Sequence, residues 1–262
     1  CCTMSRCSPV SPPMDPGSGS HLRKYVPDPQ NPIDMSKAPY MSAISALMYL
    51  AIGTHPDIMY SVAKLSQYNS NPGPEHWQVV KHLMCYIQGT KDLYLTFHAD
   101  STDPMSSELC KGYSDTNHTG CLDTRQSTLG FLIKMGTGTI CWSAKKQTTV
   151  TKSSTEAEFV SASSAGSKIL WMCTLLHELR MKVEGPTHLM VNNQSTLKVL
   201  WNPEYHGCMK HIDIAFHWIH DTIKCSKIKA HFLPTIEMVT NILTKALPCL
   251  AIQQHHAALG LE

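Results

Sequence analysis

The chain is 262 residues long and 42% apolar, enough to bury the core of one large or two modest globular domains. Its net charge of +2 is too small to announce a nucleic-acid binder by itself. The longest apolar run, Ile44–Ile52, falls far short of the roughly 20 residues that cross a bilayer, and no basic stretch followed by an apolar one opens the chain, so neither a membrane nor a secretory role is expected.

Residues 8–39 are crowded with Pro, Ser, Gly and Asp, which leaves little room for regular structure and predicts a linker or extended surface chain. Three helical patterns follow, over Tyr40–Ile52, Ile58–Tyr68 and Glu75–Gln88, the last opened by Pro74 and closed by Gly89. In the third, Trp77, Val80, Leu83, Met84 and Ile87 recur at helical spacing and form a core-facing stripe. From Leu109 the period changes. Leu109–Asp115, Thr128–Met135 and Thr139–Ser143 read as an antiparallel meander of strands, turned between the second and third by Gly136-Thr-Gly138. A long helix is predicted over Ser154–Arg180, with a capping box in Ser153-Ser-Thr-Glu156. Then come a strand His188–Asn192, a short helix to Leu200, a helix Lys210–Cys225, a strand Lys229–Leu233 and a final helix from about Glu237. Three strands, then helices alternating with two more, predict an α/β fold with a mixed sheet and helices on its faces. Trp171 and Trp201 are expected in its core.

Charge is unevenly spread: residues 1–108 hold 7 Lys+Arg against 9 Asp+Glu, and residues 109–262 hold 15 against 11. The basic half carries the candidate chemistry. Asp115 ends the first strand, where a carboxylate can project into a cleft, although a strand-end Asp is ordinarily a turn or capping residue. Glu156 and Glu158 lie two apart on the long helix and point to different sides, so only one can face Asp115. The eleven Cys, an odd number with no Cys-x-x-Cys pair, read as reduced thiols of an intracellular protein of the cytoplasm or nucleus. His206, His211, His217 and His220 with Cys208 and Cys225 invite a zinc reading, but His211 and His217 are six apart on their helix and share no face, which favours a His-rich surface.

The motifs fall in a recognisable order. Gly-Tyr-Ser-Asp-x-x-x-x-Gly (112–120), Asp-Thr-Arg-Gln-Ser-Thr-x-Gly (123–130), Trp-Ser-x-Lys-Lys-Gln (142–147), Ser-Ser-Thr-Glu-Ala-Glu (153–158), Asn-Asn-Gln (192–194), Lys-His-Ile-Asp-Ile (210–214) and Asn-Ile-Leu-Thr-Lys (241–245) together resemble the ribonuclease H region of copia-type retrotransposon polyproteins. Upstream, the segments 4–14, Ala-Leu-Met-Tyr-Leu-Ala (46–51), His-Pro-Asp-Ile (55–58) and 71–77 resemble the end of the reverse transcriptase of the same polyproteins. A chain opening on Cys1 fits a piece of something longer.

The resemblance implies a ribonuclease H-like mixed five-stranded sheet flanked by helices and preceded by a small helical segment. It divides the chain into an extended end of reverse transcriptase (1–39), a thumb- or connection-like helical segment (40–104) and a ribonuclease H-like domain (105–262). The reaction it implies is Mg²⁺-dependent endonucleolytic hydrolysis of RNA in an RNA–DNA hybrid, in which carboxylates hold two hard cations. No polymerase activity is implied, since no Asp-Asp pair occurs in the chain. Matched motif by motif, the four metal-binding positions are Asp115, Glu158, Asn192 and Asn241, the last two being Asp in the family, and Glu156 is left to cap its helix. A charge pair at about 4 Å is worth on the order of 4 kcal/mol at an effective dielectric of 20, so two lost charges weaken a two-metal site severely. Rescue by Glu237, one helical turn before Asn241, carries little weight against its reading as an ordinary first-turn Glu. Lys145, Lys146, Gln147 and Lys210 are the candidate nucleic-acid contacts, with Lys152, Lys227 and Lys229 as further basic residues; each, taken singly, reads as a solvated lysine. The expected function is thus a degenerate ribonuclease H-like domain of weak or no activity. The alternatives are a non-catalytic nucleic-acid-binding module and a decayed element fragment.

Overall fold

The computed structural model of the chain describes residues 7–30, 35, 37–98, 110–181, 185–202 and 213–262. After a one-and-a-half-turn helix α1 (Pro16–His21) come α2 (Tyr40–Gly53), a 3-10 turn (Pro56–Ile58), α3 (Met59–Ser66) and α4 (Pro74–Gly89). Pro74 takes the first position of α4, where its missing N–H is no loss, and the His76 ring accepts the Gly73 N–H at 2.8 Å. The predicted stripe faces inward: Val80 and Leu83 are fully buried, with Trp77, Met84 and Ile87 packed against the same core.

Apart from α1, residues 8–30 are irregular, as their composition demands, yet they are not free surface chain. Met14 and Leu22 are 1% and 3% exposed, and the Tyr68 hydroxyl donates to the Leu22 carbonyl at 2.9 Å. Polar side chains of α4 (His76, His82) and of the loop before it (Tyr68, Asn71) thus satisfy backbone carbonyls that Pro-rich sequence cannot pair within itself.

The sheet comprises β1 (Lys111–Asn117), β2 (Thr128–Met135), β3 (Gly138–Lys146), β4 (Thr187–Val191) and β5 (Ile228–Phe232), in the order β3-β2-β1-β4-β5. β1, β2 and β3 are antiparallel neighbours, while β4 runs parallel to β1 and β5 parallel to β4. Gly136, at φ 59°, supplies the left-handed residue of the two-residue turn between β2 and β3. β3 is longer than its apolar residues suggest, because ladder bonds to β2 continue through Lys145 and Lys146.

Helices α5 (Ser154–Glu178), α6 (Gln194–Trp201) and α7 (Asp213–Lys224) cover one face of the sheet, burying Phe131, Ile133, Leu189 and Val191. The Ser153 hydroxyl accepts the Glu156 N–H at 3.1 Å, and the Glu156 carboxylate accepts the Lys152 N–H at 2.8 Å, so α5 starts as its capping residues require. It stops two residues short of the predicted end: Arg180 takes φ 60° and the Met181 N–H closes back on the Leu176 carbonyl. By length and composition alone α5 could cross a membrane; here it is the central helix of this core. Of the predicted helix over 210–225, residues 210–212 lie outside the described residues.

The final helix departs from expectation. Residues 235–240 form turns, followed by one helical turn, α8 (Asn241–Thr244), an extended Lys245, and α9 (Cys249–Leu259) after Pro248. Proline at the N-cap of α9 has no N–H for a preceding turn, so one continuous helix cannot form. α8 and α9 cover the second face of the sheet together with α2, α3 and α4, in one core that includes Leu132, Ala144, Leu65, Leu83 and Leu243. Consecutive residues Leu132 and Ile133, both at 0% exposure, thereby serve opposite cores. Two buried polar links join helices to sheet and to the C-terminus: the Trp142 indole donates to the Ala51 carbonyl at 2.8 Å, and Tyr86 donates its hydroxyl to Asp57 at 2.6 Å, with the His256 ring 2.9 Å from the same hydroxyl. Residues 94–96 pair with the C-terminal residues, through the Tyr94 N–H to the Glu262 carbonyl and its reciprocal, and the Thr96 N–H to the Gly260 carbonyl.

Trp171 and Trp201 are not core residues; they are 55% and 60% exposed. Trp171 lies on the outer side of α5 beside Lys168, whose ammonium sits 5.3 Å from the ring centre, and Trp201 ends α6. Bulk alone suggests burial, but a residue's helical phase decides it. The antiparallel 3-2-1 meander, extended by two parallel strands reached through helices, is the ribonuclease H-like architecture.

Candidate functional site

Asp115 sits fifth of seven in β1, not at the strand's end, and is 2% exposed. Its partner in β2 is Gly130. A Cβ at Gly130 would stand 2.7 Å from the Thr244 methyl and 3.0 Å from the Leu243 Cβ, so only glycine lets α8 lie this close to the sheet beside Asp115. Thr244 uses the approach: its hydroxyl donates to Asp115 Oδ2 at 2.5 Å. On the other side, at the end of β4, Asn192 Nδ2 donates to Asp115 Oδ1 at 2.8 Å. Ser161 of α5 donates to the Asp115 carbonyl at 3.0 Å and lies 3.2 Å from that of Gly130, which fixes the helix over this point of the sheet.

Glu158, one turn before Ser161 on α5, is 6% exposed. Burial, and second the charge of Asp115, push its carboxyl up to about 9, against a backbone hydrogen bond from Thr116 and the pull of Lys245. At neutral pH Glu158 therefore holds its proton. Asn241 opens α8 and is 5% exposed, its amide donating to the Thr235 carbonyl at 2.6 Å. Three oxygens at these positions, Glu158 Oε2, Asn192 Oδ1 and Asn241 Oδ1, are buried and accept no hydrogen bond.

The fold brings Asp115, Glu158 and Asn192 together, with Asn241 on the helical turn whose Thr244 touches Asp115. Glu237 is exposed on a turn before α8. Glu156 is spent on the cap of α5. Lys145 is exposed and Lys146 half-buried at the end of β3, the latter within 3.4 Å of the Gln67 side-chain oxygen. Gln147 is 5% exposed and turned inward, its amide donating to the Ala157 carbonyl at 3.2 Å, so it anchors the β3–α5 loop to the helix. Lys210, His206, Cys208 and His211 lie outside the described residues. Among the described residues no group of three or more His, Cys, Asp or Glu is placed to hold a metal ion. Thr244 and Ser161 are the participants that sequence reasoning misses; Thr244 stands inside the Asn-Ile-Leu-Thr-Lys motif, and its spacing of three from Asn241 puts it on the same face of one helical turn.

No protein-family profile matches the chain. It is 34% identical over 249 residues, 94% of its own length, to the retrovirus-related Pol polyprotein from transposon TNT 1-94 of Nicotiana tabacum. Over 260 residues, 98% of its length, it is 32% identical to the corresponding polyprotein from transposon RE2 of Arabidopsis thaliana. It spans only 18% and 17% of those two polyproteins. A 138-residue stretch, 53% of the chain, is 40% identical to 94% of the secreted RxLR effector protein 161 of Plasmopara viticola. With a ribonuclease H-like sheet and near end-to-end similarity to these polyproteins, the chain belongs to the Pol polyproteins of copia-type retrotransposons.

Proposed function

We propose that the chain is the ribonuclease H-like part of such a polyprotein, led in by the end of its reverse transcriptase, and that it contacts RNA–DNA hybrid while hydrolysing RNA weakly or not at all. The observation that carries the reading is the Asn192 amide on Asp115. In a nuclease of this class that position supplies negative charge to a shared metal; here it supplies a hydrogen-bond donor to the carboxylate the metal needs.

The donor set does not fit a pair of Mg²⁺ ions. Two hard cations call for several anionic oxygens. Both Asp115 oxygens are taken by protein donors. Asn192 and Asn241 offer neutral carbonyl oxygens only. The three unpaired oxygens are the remnant of an oxygen-rich site and carry too little charge for two divalent ions.

The test is cleavage of an RNA–DNA hybrid in Mg²⁺ and in Mn²⁺, with hybrid binding followed alongside. No cleavage with salt-dependent binding is expected. Robust turnover that vanishes on Asp115→Asn would overturn the inactivity. Failure to bind any nucleic acid at low salt would leave a decayed element fragment as the reading.

A further inference from the structure

β3 is the edge strand of the sheet, and a hollow flanks it on each face. One, about 660 Å³, lies between the sheet and α5 and is lined by Lys145, Lys146 and Lys168 with the hydroxyls of Thr148, Ser164 and Ser167. The other, about 730 Å³, lies between β3 and residues 91–97 and is lined by Lys91, His55, Tyr94 and Phe97. Both border on Cys141 and Trp142, consecutive residues that face opposite sides of the sheet, so the two hollows flank the exposed edge of β3, one on each face. Among the described residues lining either hollow there is no Asp or Glu. Tyr94 and Phe97 are 67% and 54% exposed, an unusual state for two aromatic rings in one groove. At the far end Trp171, itself 55% exposed, stands beside Lys168.

We propose that a single strand of nucleic acid rides along the outer edge of β3 between these two hollows, with phosphates on Lys91, Lys145 and Lys168 and bases stacked on Tyr94 and Phe97. Exposed lysines on both sides of the edge attract an anionic backbone. Exposed aromatic rings offer stacking to any base, which is how strands are held without sequence preference. The nine residues of β3 span about 30 Å, room for several nucleotides. The channel ends beside the turn of α5 that carries Glu158, since Val160 lines it and Gln147 of its wall bonds the Ala157 carbonyl. The inference shares with the proposed function only the premise that the chain handles nucleic acid. It adds a strand path separate from the Asp115 site.

The test is fluorescence anisotropy with the full chain, a labelled oligothymidylate of about 12 nucleotides and, in parallel, an RNA–DNA hybrid. Wild type binds the single strand, and the affinity falls with salt. Tyr94→Ala weakens single-strand binding about tenfold. Lys91→Gln with Lys168→Gln lowers the log–log salt slope by about 1.4, at ~0.7 for each phosphate no longer neutralised. Unchanged melting temperatures show that these exposed substitutions leave the fold intact. Hybrid binding without single-strand binding overturns the groove alone and leaves the proposed function standing. Single-strand binding indifferent to all three substitutions also overturns it. So does dimerisation of the chain that Ile140→Lys abolishes in the absence of oligonucleotide binding, which would make the edge a strand-pairing surface. Single-strand binding lost in the variants supports the groove even where the hybrid is not bound.

Discussion

The Asn192 amide meets the Asp115 carboxylate, Nδ2 to Oδ1, at 2.8 Å. On the proposed reading an Asp here would be a like-charge neighbour; the Asn192 amide is instead a hydrogen-bond donor and satisfies Asp115 without a cation. The double reversion Asn192→Asp with Asn241→Asp restores repulsion among carboxylates within reach of one another. Thermal melts are expected to drop by several degrees in chelator and to recover in Mg²⁺ or Mn²⁺. Hybrid cleavage should appear with the recovery. A reverted protein whose melting ignores both metals would place the lesion elsewhere in the fold.

Glu158 binds its proton far more tightly in the folded chain, at about 9 against an ordinary 4.5. Below pH 4.5 both states are protonated and the group is neutral in its effect. Between the two values the folded state holds a proton the unfolded state has lost, so stability falls as pH rises through that window. At pH 7 the linkage amounts to on the order of 3 kcal/mol. Glu158→Gln keeps the shape and abolishes the titration. Urea unfolding at pH 5, 7 and 9 should show the variant gaining on wild type at each step, and parallel profiles would count against the buried, protonated carboxyl.

Thr244→Val removes the hydroxyl that donates to Asp115 Oδ2 and leaves that oxygen buried without its partner. A loss of about 1.5–3 kcal/mol is expected, as for a hydrogen bond to a charged group. Chemical denaturation measures it. If Thr244→Ser destabilises and Thr244→Val does not, methyl packing against Gly130, not the hydroxyl, is what matters there.

Tyr86→Phe silences the link between the 3-10 turn and α9. Asp57 is 2% exposed and one of its oxygens already accepts nothing, so losing the Tyr86 donor leaves the carboxylate poorly satisfied. Destabilisation of about 1–3 kcal/mol is expected. Since His256 on α9 shares that hydroxyl, hydrogen exchange should quicken in α9 as well as around residues 56–58. Exchange confined to α4 would contradict the coupling.

Much of this architecture is written in local signals. Ser153 and Glu156 mark the start of α5, Gly136 marks the β2–β3 turn, and the apolar stripe of α4 gives the buried side of that helix. The same holds for half the site, because Asp115 and Glu158 stand in motifs whose strand and helix contexts are readable. What the sequence conceals is phase and partnership. Trp171 is as apolar as any core residue, and only the twist of α5 turns it outward. Gln147 belongs to a basic motif yet points inward, because the β3–α5 loop needs an anchor on the Ala157 carbonyl. Turns in place of helix before Asn241 take away the helical register that would put Glu237 on its face, and the extended Lys245 with Pro248 ends the helix after one turn. Nothing along the chain says that Met14, from a Pro-rich stretch, belongs to the same core as Leu243.

The indole of Trp142 reaches across to the Ala51 carbonyl, and the apolar residues around it come from both ends of the chain. Mutational drift in the helices is therefore not independent of drift in the sheet. Over many copies of such an element, changes near position 51 should be answered by changes near 142, 239 and 243, so that remote stretches of sequence carry one shared evolutionary record.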